Sequence, residues 1–228
     1  MKILLGLLSI STLSCKKSDN IVKNVNTVQI ENKKDTVLDI KKDTTLILKD
    51  KLKAIQELNQ IVPDTTINNK LLLSNYSSLP EFYPKYKSIE AIERIRESPV
   101  IIFSDKFNIE YLIVYQYEGS TENSFDCFEI GYLKNEKALS KVNIYNTLED
   151  SFKTETNLGL GVTFEEITSI KGSNYKKTEK EDLIIISYRN TNFETSTFLQ
   201  RYNMPGYFME FTLKENKVIK IKFGFDYP

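Results

Sequence analysis

Histidine and tryptophan are absent from the 228 residues, and there are only 2 cysteines, 8 glycines and 6 prolines. Without histidine there is no Ser-His or Cys-His nucleophile, no imidazole general base and no imidazole-ligated zinc. A surplus of charge is lacking too: 31 Lys plus Arg stand against 31 Asp plus Glu, and the pI is near 6.5. With no basic excess to neutralise phosphates, no nucleic-acid partner is expected. P-loop, dinucleotide fingerprint, EF-hand loop and Cys-rich metal spacing are also missing, so neither cofactor nor metal is expected. The apolar run Ile3 to Ile10 falls well below the roughly 20 residues of a spanning helix, and no other segment is long and apolar enough.

What is present begins at the amino terminus. Lys2, the apolar run and the small polar residues up to Ser14 have the order of a signal peptide over 1–14. Leu13-Ser14-Cys15 resembles the lipobox of bacterial lipoproteins, with Thr12 where that family has an aliphatic residue. The resemblance implies that the Cys15 thiol is lipidated, that the signal is cut before it, and that the new amino terminus is acylated. It therefore implies a lipid bilayer as partner through acylated Cys15, and a place in the bacterial cell envelope, on the outer membrane. Each buried methylene contributes about 0.8 kcal/mol, so two or more chains hold a protein on a bilayer. The competing readings are an ordinary secretory signal cut nearby and a short buried helix. Lipid on Cys15 leaves Cys127 alone, and the mature chain then has no intramolecular disulfide.

All 26 aromatic residues, 13 Tyr and 13 Phe, lie at or beyond Tyr76. The preceding stretch is rich in Lys, Asp, Asn and Thr, with too little bulky apolar surface to repay the entropy of ordering. Residues 15–78 are accordingly expected to form a disordered polar tether, spanning about 45 Å as a flexible chain. Within it, Lys33 to Ile40 is echoed by Lys41 to Leu48, two copies that make no solenoid. Leu52, Ile55, Leu58 and Ile61 recur at helical spacing before Pro63, which predicts a short amphipathic helix over 51–62.

Residues 79–228 read as an α+β domain, an antiparallel sheet with two or three short helices. Ser88 can cap a helix over 89–97, with Glu90 and Glu93 early, Arg94 and Arg96 late, and Pro99 beyond. Strands are predicted at 100–104, 109–117 and 125–133, with shorter ones at 142–145 and 152–156. In the second, Ile109, Tyr111, Ile113 and Tyr115 share a face; in the third, Phe128, Ile130 and Tyr132 do. Thr163-Phe164-Glu165-Glu166 has capping-box form, Val162 and Ile167 stand where a hydrophobic staple belongs, and Gly172 can close a helix over 164–171. After a charged loop over 176–182 come strands at 183–189, 207–213 and 218–225. In the last, Ile219, Ile221, Phe223 and Phe225 alternate with Val218, Lys220, Lys222 and Gly224 to give a dry and a wetter face.

The run Gly159 to Ile167, then Ile170-Lys171-Gly172 and, after a loop, Ile184 to Tyr188, is similar to the repeat unit of β-lactamase-inhibitor-protein-like domains. It also resembles the small lipoprotein of the outer-membrane β-barrel assembly machine. That resemblance covers roughly 30 residues and implies an α+β module that binds proteins and catalyses nothing.

Other fragments of motif carry less. Ser173-Asn174-Tyr175-Lys176 and Ser18-Asp19-Asn20 match the S-x-x-K and S-D-N of penicillin-recognising serine enzymes, but in reversed order, which reads as coincidence. Cys127 lies mid-strand with no histidine to lower its pKa and reads as a buried thiol. Asp126, Glu129 and Glu210 fall on strands, and linear spacing does not show whether any two meet. Phe193, Phe198, Arg201, Tyr202 and Tyr207 form the best candidate partner-binding surface, set against the reading that these rings close one end of the core. The chain is thus expected to be a membrane-tethered, non-enzymatic envelope lipoprotein binding an unknown envelope protein or glycan. Alternatives are an inhibitor or immunity-type protein that blocks an envelope enzyme, and an envelope hydrolase with a carboxylate site.

Overall fold

The computed structural model describes residues 61–89, 99–117 and 124–226. A two-residue hairpin opens them, with β1 at Thr66–Ile67 and β2 at Leu71–Leu72, followed by the four-residue helix α1, Leu79–Phe82. Then come β3 (Pro99–Ser104), β4 (Glu110–Tyr115), β5 (Cys127–Tyr132) and the short β6 (Tyr145–Asn146). Helix α2 (Phe164–Lys171) precedes β7 (Lys176–Lys180) and β8 (Leu183–Asn190). Helix α3 (Thr197–Tyr202) leads into β9 (Gly206–Lys214) and β10 (Lys217–Asp226).

Eight strands form one sheet in the order β6-β3-β4-β5-β10-β9-β8-β7. The chain is α+β, with two antiparallel meanders, β3-β4-β5 and β7 to β10, sewn together by β5 against β10. All neighbours are antiparallel except β6, which lies parallel to β3 and makes the sheet mixed.

Period-two alternation decides which side is dry. Leu112 and Val114 of β4, Phe128 and Ile130 of β5, Met209 and Phe211 of β9, and Ile221 and Phe223 of β10 enter the main core. Ile167 of α2, Leu199 of α3 and Leu79 and Phe82 of α1 enter the same core. On the reverse side a smaller cluster, Ile102, Tyr111, Ile113 and Leu139, lies where residues 133–144 cross the sheet. The expected common face of Tyr111, Ile113 and Tyr115 is therefore real, but it belongs to this minor cluster, and Ile109 is exposed.

Helix α2 has the predicted ends. The Thr163 amide donates to Glu166 Oε2 at 2.7 Å and the Glu166 amide donates to Thr163 Oγ1 at 3.3 Å, while Gly172 stops the helix at φ 81°. The expected strand at 218–225 is present with one correction. A bulge between Val218 and Lys220 puts Val218, not Ile219, in register with the buried face of Ile221.

Four further expectations are corrected. The charged loop at 176–182 is mostly strand β7, an edge strand exposed along its whole length, whose lysines discourage edge-to-edge pairing. The strand at 142–145 shrinks to β6, and 152–156 makes only isolated bridges from Lys153 and Thr154. Helix α3, unforeseen, is capped by Ser196, whose Oγ accepts from the Leu199 amide at 3.2 Å, and closed by Asn203 at φ 53°. The expected helices over 51–62 and 89–97 fall outside the described residues except at their ends, where Ile61 and Val62 are not helical.

The fourth correction concerns the expected tether. Residues 61–78 are part of the fold: Ile61, Ile67, Leu71 and Leu73 are buried in the main core. Asp64 fastens them. Its Oδ2 pairs with Lys171 Nζ at 2.8 Å, both side chains being shielded from water, and Oδ1 accepts from the Thr156 amide at 3.1 Å. Lys171 also donates to Val62 O at 2.8 Å, and Tyr207 OH donates to Asp64 O at 2.8 Å. Burial pushes the Lys171 ammonium down, and the Asp64 carboxylate opposes that shift.

Breaking a buried pair strands a charge, so Asp64→Ala is expected to lower stability by about 3–5 kcal/mol, while the double variant Asp64→Leu/Lys171→Met recovers most of the loss. Urea midpoints of the three proteins read both outcomes. At Gly224 an added Cβ meets the backbone of Asp126 and Cys127. Gly224→Ala is expected to cost about 1–3 kcal/mol by the same measurement.

Candidate functional site

The densest polar constellation lies on the reverse face, where β4, β5 and β10 run side by side. Register puts Ile113, Glu129, Lys222, Glu210 and Ser187 in one row across β4, β5, β10, β9 and β8. Glu129 is the buried member. Its Oε1 accepts from Tyr111 OH at 2.9 Å and lies 3.2 Å from Lys220 Nζ, while Oε2 accepts from Tyr115 OH at 3.2 Å and lies 3.6 Å from Lys222 Nζ. Space for this arrangement comes from Gly131, where a Cβ would stand 2.5 Å from the Tyr111 ring.

The cluster continues outward. Lys222 Nζ sits 4.6 Å above the Tyr115 ring, and Lys220 reaches Glu136 at 3.6 Å as well as Glu129. Beyond Lys222, Arg189 lies over the Phe208 ring at 5.6 Å, 3.4 Å from Glu210 and 2.5 Å from Asp226. The lysines, Arg189, Glu210 and Asp226 are all partly in solvent, so the face displays alternating charges held by a buried carboxylate.

Electrostatics fixes the charge states. Burial alone would raise the Glu129 carboxyl, but Lys220, the Tyr111 hydroxyl and Lys222 outweigh it and hold the group below the usual carboxylate range. Tyr111 and Tyr115 are pushed upward, first by burial and then by the Glu129 anion. None of these three is poised to exchange a proton near neutrality, so they hold fixed charges and dipoles.

A carboxylate pair, Asp105 and Glu110, sits at the β3–β4 turn. Burial and the neighbouring Asp105 raise the Glu110 carboxyl, against the Phe152 amide that lowers it. Its Oε2 accepts from that amide at 2.8 Å, and Asp105 Oδ1 accepts from the amides of Ile109 and Glu110 at 2.7 and 3.0 Å. Asp105 thus holds the turn, and Glu110 ties its end to the chain at Phe152. Among the described residues, no three His, Cys, Asp or Glu side chains stand together as metal ligands.

The residues singled out from sequence separate. Tyr207 is fully buried, with its hydroxyl spent on Asp64, and it is corrected from contact residue to core residue. Phe198 and Tyr202 are partly buried and lie 6.0 and 5.1 Å, ring to ring, from Phe225. These three rings close one end of the core, because Ser196 starts a helix that folds Phe198 onto β9. Only Phe193, 40% exposed, and Arg201 remain on the surface. Asp126 is buried, its Oδ2 accepting from the Tyr117 amide at 2.6 Å. Cys127 is buried too; burial drives its thiol up to about 12, which removes it as a nucleophile. Ser173 to Lys176 lead into β7 on the surface, and Ser18-Asp19-Asn20 lies outside the described residues. Sequence alone put Glu129 on a strand and Lys220 and Lys222 on a wetter face, but the cross-strand register that joins them is not written locally.

Because the folded pKa of Glu129 is depressed, its stabilising contribution is complete above the unfolded value of about 4.3 and fades as pH falls through the folded value. Glu129→Gln should therefore be less stable than the parent at neutral pH, with the gap closing in acid. Urea midpoints measured from neutral pH downward read this; a gap that stays constant contradicts it. Compared with family models, curated proteins and solved structures, the chain matches none.

Proposed function

We propose that the protein is a lipoprotein of the bacterial cell envelope, held on a membrane by acyl chains on Cys15, whose α+β domain binds a protein or glycan partner and catalyses no reaction. The observation that carries the anchoring is the order Lys2, apolar run, Leu13-Ser14-Cys15. Supporting the binding role is the reverse face of the sheet, where Lys220, Lys222, Glu210 and Arg189 are set at strand spacing around a buried anion. Fixed alternating charges favour specificity for a partner of complementary pattern.

Residues 16–60 serve in this reading as a polar tether, which as a flexible chain spans about 37 Å root-mean-square. The test is made in the native host. Cys15→Ala should move the protein from the membrane fraction to the soluble fraction, and the mass of the parent should carry the added acyl groups. An unmodified Cys15, or membrane association unchanged by the substitution, overturns the anchor.

A further inference from the structure

We propose that Lys171 and Asp64 react with each other: the lysine amine condenses with the aspartate carboxyl, one water is lost, and the resulting isopeptide bond ties the start of the described chain to the end of α2. The bond requires nothing of the lipid-anchored reading, since all of its parts lie among the described residues.

Placement comes first. Lys171 Nζ lies 2.8 Å from Asp64 Oδ2, and the two side chains are 1% and 0% exposed. By contrast Lys220 and Lys222, which also pair with a buried carboxylate, are 38% and 34% exposed and keep their water. Both reactants stand on fixed backbone. The Asp64 amide donates to Tyr207 OH at 3.0 Å while that hydroxyl donates to Asp64 O, and Lys171 is the last residue of a helix capped at both ends. Two groups held in contact in a dry site react with the advantage of an intramolecular step.

The surroundings suit each stage of the condensation. Burial pushes the Lys171 ammonium down against the opposing Asp64 carboxylate, and a desolvated lysine is the form in which an amine attacks. Asp64 is gripped at both oxygens by one residue: Oδ1 accepts from the Thr156 amide at 3.1 Å and Oδ2 from the Thr156 hydroxyl at 3.0 Å. One ammonium proton crosses to Oδ2, leaving a neutral amine and a carboxylic acid. The nitrogen lone pair then bonds to Cγ, and the carbonyl pair moves onto Oδ1, where the Thr156 amide stabilises it. A second nitrogen proton passes to Oδ2, the Cγ–Oδ2 bond breaks and water departs, while the pair on Oδ1 restores the carbonyl. Of the three ammonium protons two leave in the water and one stays on the amide nitrogen, so no oxidant or co-reactant is needed.

The same cradle fits the product. The remaining N–H keeps Val62 O, now 2.8 Å from Nζ, as its acceptor, and the new carbonyl keeps the Thr156 amide as its donor. A buried amide with both polar atoms paired is well accommodated, whereas the ion pair holds two full charges away from water. Relief of that desolvation favours the condensed state. A cross-link between residues so far apart in sequence also restricts the unfolded chain, which adds to stability.

The experiment uses the full chain carrying Cys15→Ala, folded and then digested. Mass spectrometry should find one branched peptide that joins the segments around Asp64 and Lys171 and is lighter by one water than the two separate peptides together. Lys171→Arg, which keeps a cation and removes the condensable amine, should give no branched peptide. Thr156→Val, which keeps the amide and removes the hydroxyl, should lower its yield at least tenfold at equal times after refolding. The unreacted pair holds the fold as an ion pair, the state with which the Asp64 variants compare in urea, and the cross-linked chain should have a midpoint above both that state and the double variant. Separate, unlinked peptides at 64 and 171 from the folded parent overturn the cross-link whether or not any variant folds. A loss of water that persists in Lys171→Arg overturns it too, because it places the dehydration elsewhere.

Discussion

The structure turns on one strand pair. β5 and β10 are separated by most of the domain in sequence, and their pairing is what converts two independent meanders into a single sheet. Each side of the pair has its own lock. On the core side the rings of Phe128 and Phe223 meet edge to face at 5.6 Å, and on the reverse side Glu129 takes Lys220 and Lys222. A slip of one residue would turn the lysines into the core and set Phe223 against a buried carboxylate, so apolar and ionic contacts penalise the same error. Gly131 and Gly224 let ring and backbone approach closely enough for both locks to close. The candidate site is thus the polar half of the contact that holds the fold together, which accounts for the burial of its central carboxylate.

How much of this was legible follows from what is local. Helix α2 was readable at both ends because capping box, staple and closing glycine all lie within a few residues of it. β4, β5 and β9 were readable because they are largely buried and apolar, and β8 because of its apolar run from Leu183 to Ile186. β7 was not: Lys176 to Lys180 is an edge strand wet on both sides, so no hydrophobic period exists to be seen. The hairpin of β1 and β2 was missed for another reason. Two-residue strands carry no period, Ile61 was assigned to a helix, and Ile67, Leu71 and Leu73 were discounted beside the aromatic-rich remainder, although each is buried. The Glu129 cluster was legible only as separate residues, since strand register over so long a separation is set by the whole sheet.

Scarcity of glycine hid further turns. Of the nine described non-glycine residues with positive φ, six are asparagine: Asn68, Asn69, Asn108, Asn157, Asn203 and Asn216. Asparagine tolerates the left-handed region because its short amide bonds to nearby backbone. Asn68-Asn69 turn the first hairpin, Glu215-Asn216 turn the last, and Asn203 ends α3. With only 8 glycines in the chain, a search for Gly-centred turns finds few of these places; a search for Asn between apolar runs finds most of them.

The last step joins the buried pair at Asp64 to the position of the chain before it. Any pull through residues preceding Ile61 arrives first at Val62 and Asp64, whose carbonyl and carboxylate groups are held by Lys171, Thr156 and Tyr207. Those three partners come from α2, from the loop before it and from β9, so the load passes into separate parts of the core rather than peeling one strand from an edge. A surface clasp in water would yield under such load because exposed ion pairs contribute little. Burial changes that, since opening the Asp64–Lys171 pair exposes two charges to a partly apolar site before water can reach them. Under the proposed anchoring, load from the amino terminus falls on the first fixed residues, and the first ionic contact of the described chain is also the most buried one.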